Sequence, residues 1–293
     1  MRFMSYKSGR KFGIAAQREG QWRGLTEGSS DYPGTLLSLI QAGGEALSKA
    51  EAMLADAPTI SLEAVEMLPP IANPEKIVCV GLNYRDHSTE SGFKQPDFPT
   101  IFGRFNSSLI AHGDPMVRPE VSDQLDYEGE LVAIIGKTAR DVAESDSLDH
   151  VIGYSIFNDG SIRDYQFKAP QWTPGKNFDD TGAFGPWFVT AEELPAGCEG
   201  LRLTTRLNGQ IVQDASISDM VFSVAKLVSI LSSFMTLVPG DVIVTGTPSG
   251  VGAARKPPLF MRDGDVCEVE IEGIGKLVNP IHDRISSAKS RVA

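Results

Sequence analysis

Short apolar runs rich in β-branched residues recur at 76–80, 130–136, 154–158, 201–207, 211–214, 241–245 and 266–271, each bounded by Gly, Pro, Asn or Asp. They predict strands. Asn208-Gly209 lies between two of these runs and predicts a type I′ hairpin, because both turn positions need positive φ. One segment has the other period: Met220, Val224, Leu227, Val228 and Leu231 recur at helical spacing, Ser218 or Asp219 stands where a cap is needed, and Pro239-Gly240 forbids continuation. Before residue 70 the pattern predicts a hairpin over 12–16 and 22–25, then a helix over 36–54 interrupted at Gly43-Gly44. A proline-rich stretch from Leu68 to Pro74 follows. The chain therefore reads as a small N-terminal α/β domain, residues 1–70, ahead of a larger β-rich domain, residues 71–293. The fold class is α+β, mainly β, and the end from about Asp283 reads as frayed.

A length of 293 residues is enough to bury a sizeable core. The net charge of -11 argues against nucleic acid as a partner, since phosphates require a basic face. An acidic protein that binds an acidic metabolite must instead place cations or a metal locally at the site. Cys79, Cys198 and Cys267 are far apart and form no C-x-x-C pair, which fits free thiols in a reducing compartment. The amino terminus lacks an apolar core of signal-peptide length, and no later run suggests a membrane span. The expectation is a cytoplasmic protein.

Candidate chemistry begins at Glu128 and Glu130. Two residues apart at the start of a strand, their side chains project from one face, where two carboxylates repel unless a cation lies between them. Asp159, at the end of the 154–158 run, is the third candidate ligand. Oxygen donors with no His or Cys favour Mg²⁺ or Mn²⁺, with Ca²⁺ as a further candidate, over Zn²⁺. Glu-x-Glu alone is more often a solvated strand face. His87 and Glu90, three apart after the 76–80 strand, share one side of a helical turn, where a carboxylate can orient an imidazole as a base. A solvent-exposed pair is the competing reading. Arg104, Arg163 and Lys176 stand in turn-rich or charge-poor segments and could receive a substrate carboxylate or enolate oxygen, or form ordinary ion pairs. The stretch from Thr245 to Gly252 offers backbone N–H groups and the Thr247 hydroxyl to an anion, and matches neither common nucleotide-binding glycine motif.

Taken in order, Gly-Leu-Asn-Tyr with His87-x-x-Glu90, Tyr-Glu128-Gly-Glu130-Leu, Asn-Asp159, Arg163-Asp-Tyr-Gln166, Gly-Lys176-Asn-Phe-Asp and Gly-Thr247-Pro-Ser-Gly-Val-Gly resemble the fumarylacetoacetate hydrolase family. The resemblance spans residues 76 to 281. It implies a mixed β-roll fold, usually a homodimer, with Glu128, Glu130 and Asp159 as Mg²⁺ ligands. It further implies His87 and Glu90 as a water-activating dyad, Lys176 as a substrate or enolate contact, and Arg163, Gln166 and Thr247 as substrate-binding positions. Many members have lysine and proline where this chain has Arg104-Phe105, a departure that implies a different substrate tail.

The activity so implied is metal-dependent hydrolysis of a carbon–carbon bond in an acylpyruvate or related 2,4-diketo acid, with a small 2-oxo acid as the partner molecule. The same enolate-stabilising site would also serve an oxaloacetate-type decarboxylase or a hydroxymuconate-type isomerase or decarboxylase. A relative that binds ligand without turning it over is the non-enzymatic alternative. The segment 171–187 is expected to line the pocket.

Overall fold

The computed structural model describes residues 1–90 and 97–284, with the backbone alone at 87–89. The C-terminal end read as frayed lies, from residue 285 on, outside the described residues. Most of the strands join one 12-stranded mixed sheet. Its main path runs Thr59–Ile60, Gln21–Thr26, Lys11–Arg18, Arg2–Ser8, Gly182–Thr190, Val151–Asp159, Gly129–Ile135, Val242–Val244, Ile77–Gly81, Thr100–Gly103. A second, five-stranded sheet of Gln210–Ser216, Arg202–Leu207, Val266–Ile271, Gly275–Asp283 and Met116–Arg118 packs on one face of the first. Helices Leu36–Ala42 and Gly44–Leu54 cover the other face. Among the described residues no helix is long and apolar enough to cross a membrane.

Because side chains alternate along a strand, Gly129–Ile135 serves both cores. Leu131, Ala133 and Ile135 point to the second sheet, whereas Val132 and Ile134 point to the helix-covered side. A strand buried on both faces reads as a continuous apolar run, as this one does.

The Asn208-Gly209 turn has φ of 50° and 78°, as its sequence requires. Gly43, with φ 94°, ends the first N-terminal helix and begins the next, so the interruption at Gly43-Gly44 is a break between two helices. The helix expected from Met220 needs correction. It spans Val224–Phe234 and is capped by Ser223, whose side chain accepts from Lys226 N; Ser216 and Asp219 instead cap a separate turn, Ile217–Asp219. The cause is Asn83. Its carbonyl accepts from Val221 N and its side-chain oxygen from Phe222 N, both at 2.7 Å, which holds 221–222 in a bend outside the helix.

Three long strands escape the sequence pattern: Arg2–Ser8, Gly182–Thr190 and Gly275–Asp283. Gly185-Pro186 gives the Gly182–Thr190 strand the local character of a loop. Its ladder to Val151–Asp159 shifts register between Tyr154 and Ile156, and a bulge tolerates a residue that lacks an N–H.

The sheet continues across residue 70. Arg2–Ser8 pairs antiparallel with Gly182–Thr190, and the helix-covered core mixes Phe3, Ile14 and Leu36 with Phe157, Phe184 and Phe188. Each large buried side chain contributes about 1.5–3 kcal/mol, so uncovering several removes as much as a typical domain's net stability. A chain starting at residue 71 is therefore expected to be aggregated or partly unfolded. Circular dichroism and gel filtration of that truncation provide the check; a monodisperse product with native near-ultraviolet signal would contradict it.

Candidate active site

The helix-covered face of the large sheet changes from apolar to charged at the strand ends. Glu130 continues the alternation of Val132 and Ile134, and Asp159 that of Phe157, its neighbour across the ladder being Gly182. Glu128 shares their side. Its backbone N donates to Asn158 Oδ1 at 3.0 Å and its carbonyl accepts from Asp159 N at 2.9 Å, which ties the two acidic strand ends together. Gly129 between the glutamates points the other way, where a Cβ would lie 2.3 Å from Thr205 Oγ1. The Glu-Gly-Glu spacing thus puts two carboxylates in the site and a backbone-close contact behind it.

One carboxylate oxygen from each of Glu128, Glu130 and Asp159 lies within 4.8 Å of the others, and all three residues are buried. Lys176 bridges two of them, its Nζ being 2.7 Å from Glu128 Oε2 and 2.7 Å from Asp159 Oδ2. Arg163 places Nη1 2.7 Å from Glu128 Oε1 and Nε 2.8 Å from Asp126 Oδ2. The short helices Arg163–Gln166 and Thr173–Lys176 that carry these cations meet backbone to backbone: a Cβ on Gly175 would lie 2.4 Å from Gln166 N.

The charges do not balance. Buried Asp126, Glu128, Glu130 and Asp159 face buried Arg104, Arg163 and Lys176, and among the described residues no lysine or arginine pairs with Glu130. Its carboxylate accepts a hydrogen bond from Gly246 N. Burial, then the charges of Asp159 and Glu128, raises the Glu130 pKa well above the usual carboxylate range. An uncompensated buried carboxylate beside two more oxygen donors fits a hard divalent cation, with carboxylate oxygens as its ligands. Lys176 remains an ammonium: burial opposes its charge, but Asp159 and Glu128 outweigh burial and raise its pKa.

Glu128, Glu130, Arg163 and Lys176 open onto a cavity of about 350 Å³ lined also by Glu90, Gln166, Thr247, Phe102 and Trp172, while Asp159 is fully buried beside them. Beside the cavity, Arg163 Nη2 is buried with no hydrogen-bond partner among the described residues, a donor left over for a ligand oxygen. The Thr247 hydroxyl donates to Gly129 O and accepts from Gln213 Nε2, so it also secures the strand start. Glu90 ends the Arg85–Glu90 helix and accepts from Gly250 N at 2.8 Å. His87 lies in the same helix, and its side chain is outside the described residues.

Arg104 is placed elsewhere. Only 4% exposed, it does not line the cavity but lies behind Asp159, paired with that carboxylate and donating to Thr181 Oγ1 at 2.8 Å. Of the segment 171–187, Trp172 and Lys176 line the cavity, while residues from 182 on form a central strand.

The pattern reading missed two supporting residues. Asp126 accepts from Arg163 Nε and from Gly252 N and Ala253 N, which anchors both the arginine and the glycine-rich loop. Gln213 accepts from Gly129 N and donates to Thr247 Oγ1. Asp126 stands two residues before Glu128, a signal in the sequence; Gln213 lies in an ordinary strand and gives none.

Residues 76–282 match the family model for the fumarylacetoacetate (FAA) hydrolase C-terminal domain. The mitochondrial oxaloacetate tautomerase of Xenopus laevis is 39% identical over 274 residues, 92% of this chain and 86% of that protein. A fumarylacetoacetate hydrolase from Exiguobacterium antarcticum superposes with a TM-score of 0.84 at 36% identity, covering 97% of this chain and 100% of the other. Maleylpyruvate hydrolase from Sphingobium sp. SYK-6, solved in complex with manganese(II) ion and pyruvate, superposes at 0.80 and 28% identity, with the same coverage. By the extent of the family match and by these likenesses, the chain belongs to the fumarylacetoacetate hydrolase family.

Proposed function

We propose that the chain is a divalent-metal-dependent enzyme that interconverts the keto and enol forms of a small 2-oxo acid, with oxaloacetate as substrate. The observation that carries this reading is a cavity lined by Glu128, Glu130, the Lys176 ammonium and Arg163, whose Nη2 has no partner among the described residues, with the buried Asp159 carboxylate completing the acidic cluster behind it. The name of the Xenopus laevis relative supports the choice of reaction. Carbon–carbon hydrolysis, the first expectation from sequence, becomes the second reading.

A Mg²⁺ or Mn²⁺ ion held by Glu128, Glu130 and Asp159 would supply Lewis-acid polarisation of the 2-oxo group. Arg163 and Gln166 bind the substrate carboxylate, and Lys176 donates a hydrogen bond to the oxygen on which enolate charge develops. Glu90 takes the proton from carbon 3. The proton returns to the 2-oxygen, so bonds and charge balance with no other reactant. His87, one helical turn before Glu90, orients that carboxylate in this reading. The homodimer, and the cytoplasmic location, remain part of the proposal.

The test follows the ultraviolet absorbance of enol-oxaloacetate with metal-stripped protein, before and after Mg²⁺ is added. Acceleration that requires the metal is expected. Glu90→Gln should then lower the rate by about 10²–10⁴-fold, the usual size of general acid–base help, while metal affinity measured by calorimetry holds. Metal-dependent pyruvate release from an acylpyruvate, with no effect on oxaloacetate, would instead establish the hydrolase. That second reading has its own support in the cavity position of Glu90, at the end of the helix that also carries His87.

A further inference from the structure

The charged groups account for how a 2-oxo acid head is held, but the cavity also has an apolar lining of Val80, Leu82, Phe102, Phe167, Trp172 and Val251. Within it, Trp172 is seated in an unusual way. A Cβ built on Gly81, at the end of the Ile77–Gly81 strand, would lie 2.3 Å from Trp172 Cζ3 and 2.9 Å from Cη2. The indole therefore rests on bare backbone. Gly81 is not in the left-handed region, so the strand needs glycine there for space and not for conformation.

One further ring contact and one backbone bond hold the residue there. Trp172 meets Phe102 edge-on, with centroids 5.7 Å apart and planes at 64°, and Lys176 Nζ lies 5.1 Å from the centroid of that same Phe102. The Trp172 carbonyl accepts from Gly175 N at 3.0 Å, at the start of the helix that delivers Lys176. A large rigid side chain is thus held against the cavity by a strand glycine, a phenylalanine and the lysine's own helix.

We propose that Trp172, seated on Gly81, is the wall that limits the size of the substrate's tail, so that short 2-oxo acids enter and bulky ones are refused. This rests on the reading of the site as one for 2-oxo acids. A hydrophobic wall rejects extra atoms by loss of fit, and one methylene changes discrimination by about 10–200-fold. Trimming the indole opens room beside the head-binding groups without removing any of them.

The experiment compares oxaloacetate with phenylpyruvate, a 2-oxo acid with a bulky tail that undergoes the same keto–enol exchange. Wild type, Trp172→Ala, Trp172→Leu, Gly81→Ala and the Gly81→Ala/Trp172→Ala double variant are assayed, all with Mg²⁺. In both Trp172 variants the ratio of kcat/KM for phenylpyruvate over oxaloacetate should rise at least about tenfold. Gly81→Ala should shift the ratio when the indole is present and have no effect when it is absent, because the atoms it would strike are gone.

Calorimetric binding of pyruvate and phenylpyruvate to the same proteins reads the wall independently of turnover. If wild type tautomerises neither acid but Trp172→Ala still tightens phenylpyruvate relative to pyruvate by about tenfold, the reaction is wrong and the wall stands. If the binding and kinetic ratios stay within about twofold of wild type in folded Trp172→Leu, or if Gly81→Ala acts equally with and without the indole, the wall is overturned.

Discussion

Replacing Glu130 with Gln is expected to leave metal-free protein as stable as wild type, or more stable, while abolishing metal-dependent turnover. The two effects have opposite signs because Glu130 is the carboxylate without a cation among the described residues. An amide of the same size keeps its oxygen toward Gly246 N and removes a carboxyl whose ionisation burial, Asp159 and Glu128 all oppose. Metal affinity should fall by more than about 100-fold, since losing a ligand costs more than the 10–100-fold typical of its supporting hydrogen bonds. Several kcal/mol of lost charge stabilisation correspond to about 10³-fold in rate. Urea denaturation of the stripped protein, calorimetry with Mn²⁺ and the enol assay check the three parts. A destabilised metal-free variant with intact metal affinity would remove Glu130 from the ligand set. A raised Glu130 pKa also means that the folded, metal-free protein holds a proton there into a higher pH range than an ordinary carboxyl does. Metal must displace that proton, so affinity should strengthen as pH rises through this range.

Lys176→Met should do damage of another kind. The side chain is 2% exposed and its ammonium is the shared partner of Glu128 and Asp159, so its loss leaves buried carboxylates facing one another. Breaking a buried pair from one side costs about 3–5 kcal/mol. A divalent cation can replace part of that compensation, so the melting temperature should recover more on adding Mg²⁺ than it does in wild type. Turnover should not recover with it. Removing a single positioned donor to a developing oxyanion costs about 10²–10³-fold, and among the described residues no second lysine lines the cavity. Rescue of both stability and rate by Mg²⁺ would reduce Lys176 to a charge-balancing residue.

Arg104 illustrates how sequence leaves open whether an arginine meets substrate or an ion-pair partner. Its neighbours in the chain, Phe102, Gly103 and Phe105, carry no charge and do not decide between the two. Besides Ser108, four residues on, its partners come from distant segments: Asp159, Thr181 and the Gly160 carbonyl, 55 to 77 residues away. Asn83 is a similar case at the level of secondary structure. Its two bonds to residues 221 and 222, 139 residues away for the side chain, delay a helix whose apolar spacing begins at Met220.

The sequence by itself determined which residues could be strands, where the Asn208-Gly209 turn forms, and that Glu128, Glu130 and Asp159 sit at strand beginnings and ends. These follow from short-range rules: period-two alternation, positive φ at a turn, and the side-chain direction of residues two apart. It also carried the ordered motifs by which the family is recognised. Tertiary structure decided what those rules cannot reach. The sheet's continuation through Arg2–Ser8 into Gly182–Thr190 and the withdrawal of Arg104 behind Asp159 both depend on pairings between remote segments. The seat of Trp172 on Gly81 depends on such a pairing as well. A glycine or an arginine has the same local propensities whatever lies across from it, and only the folded packing supplies the atom that explains it.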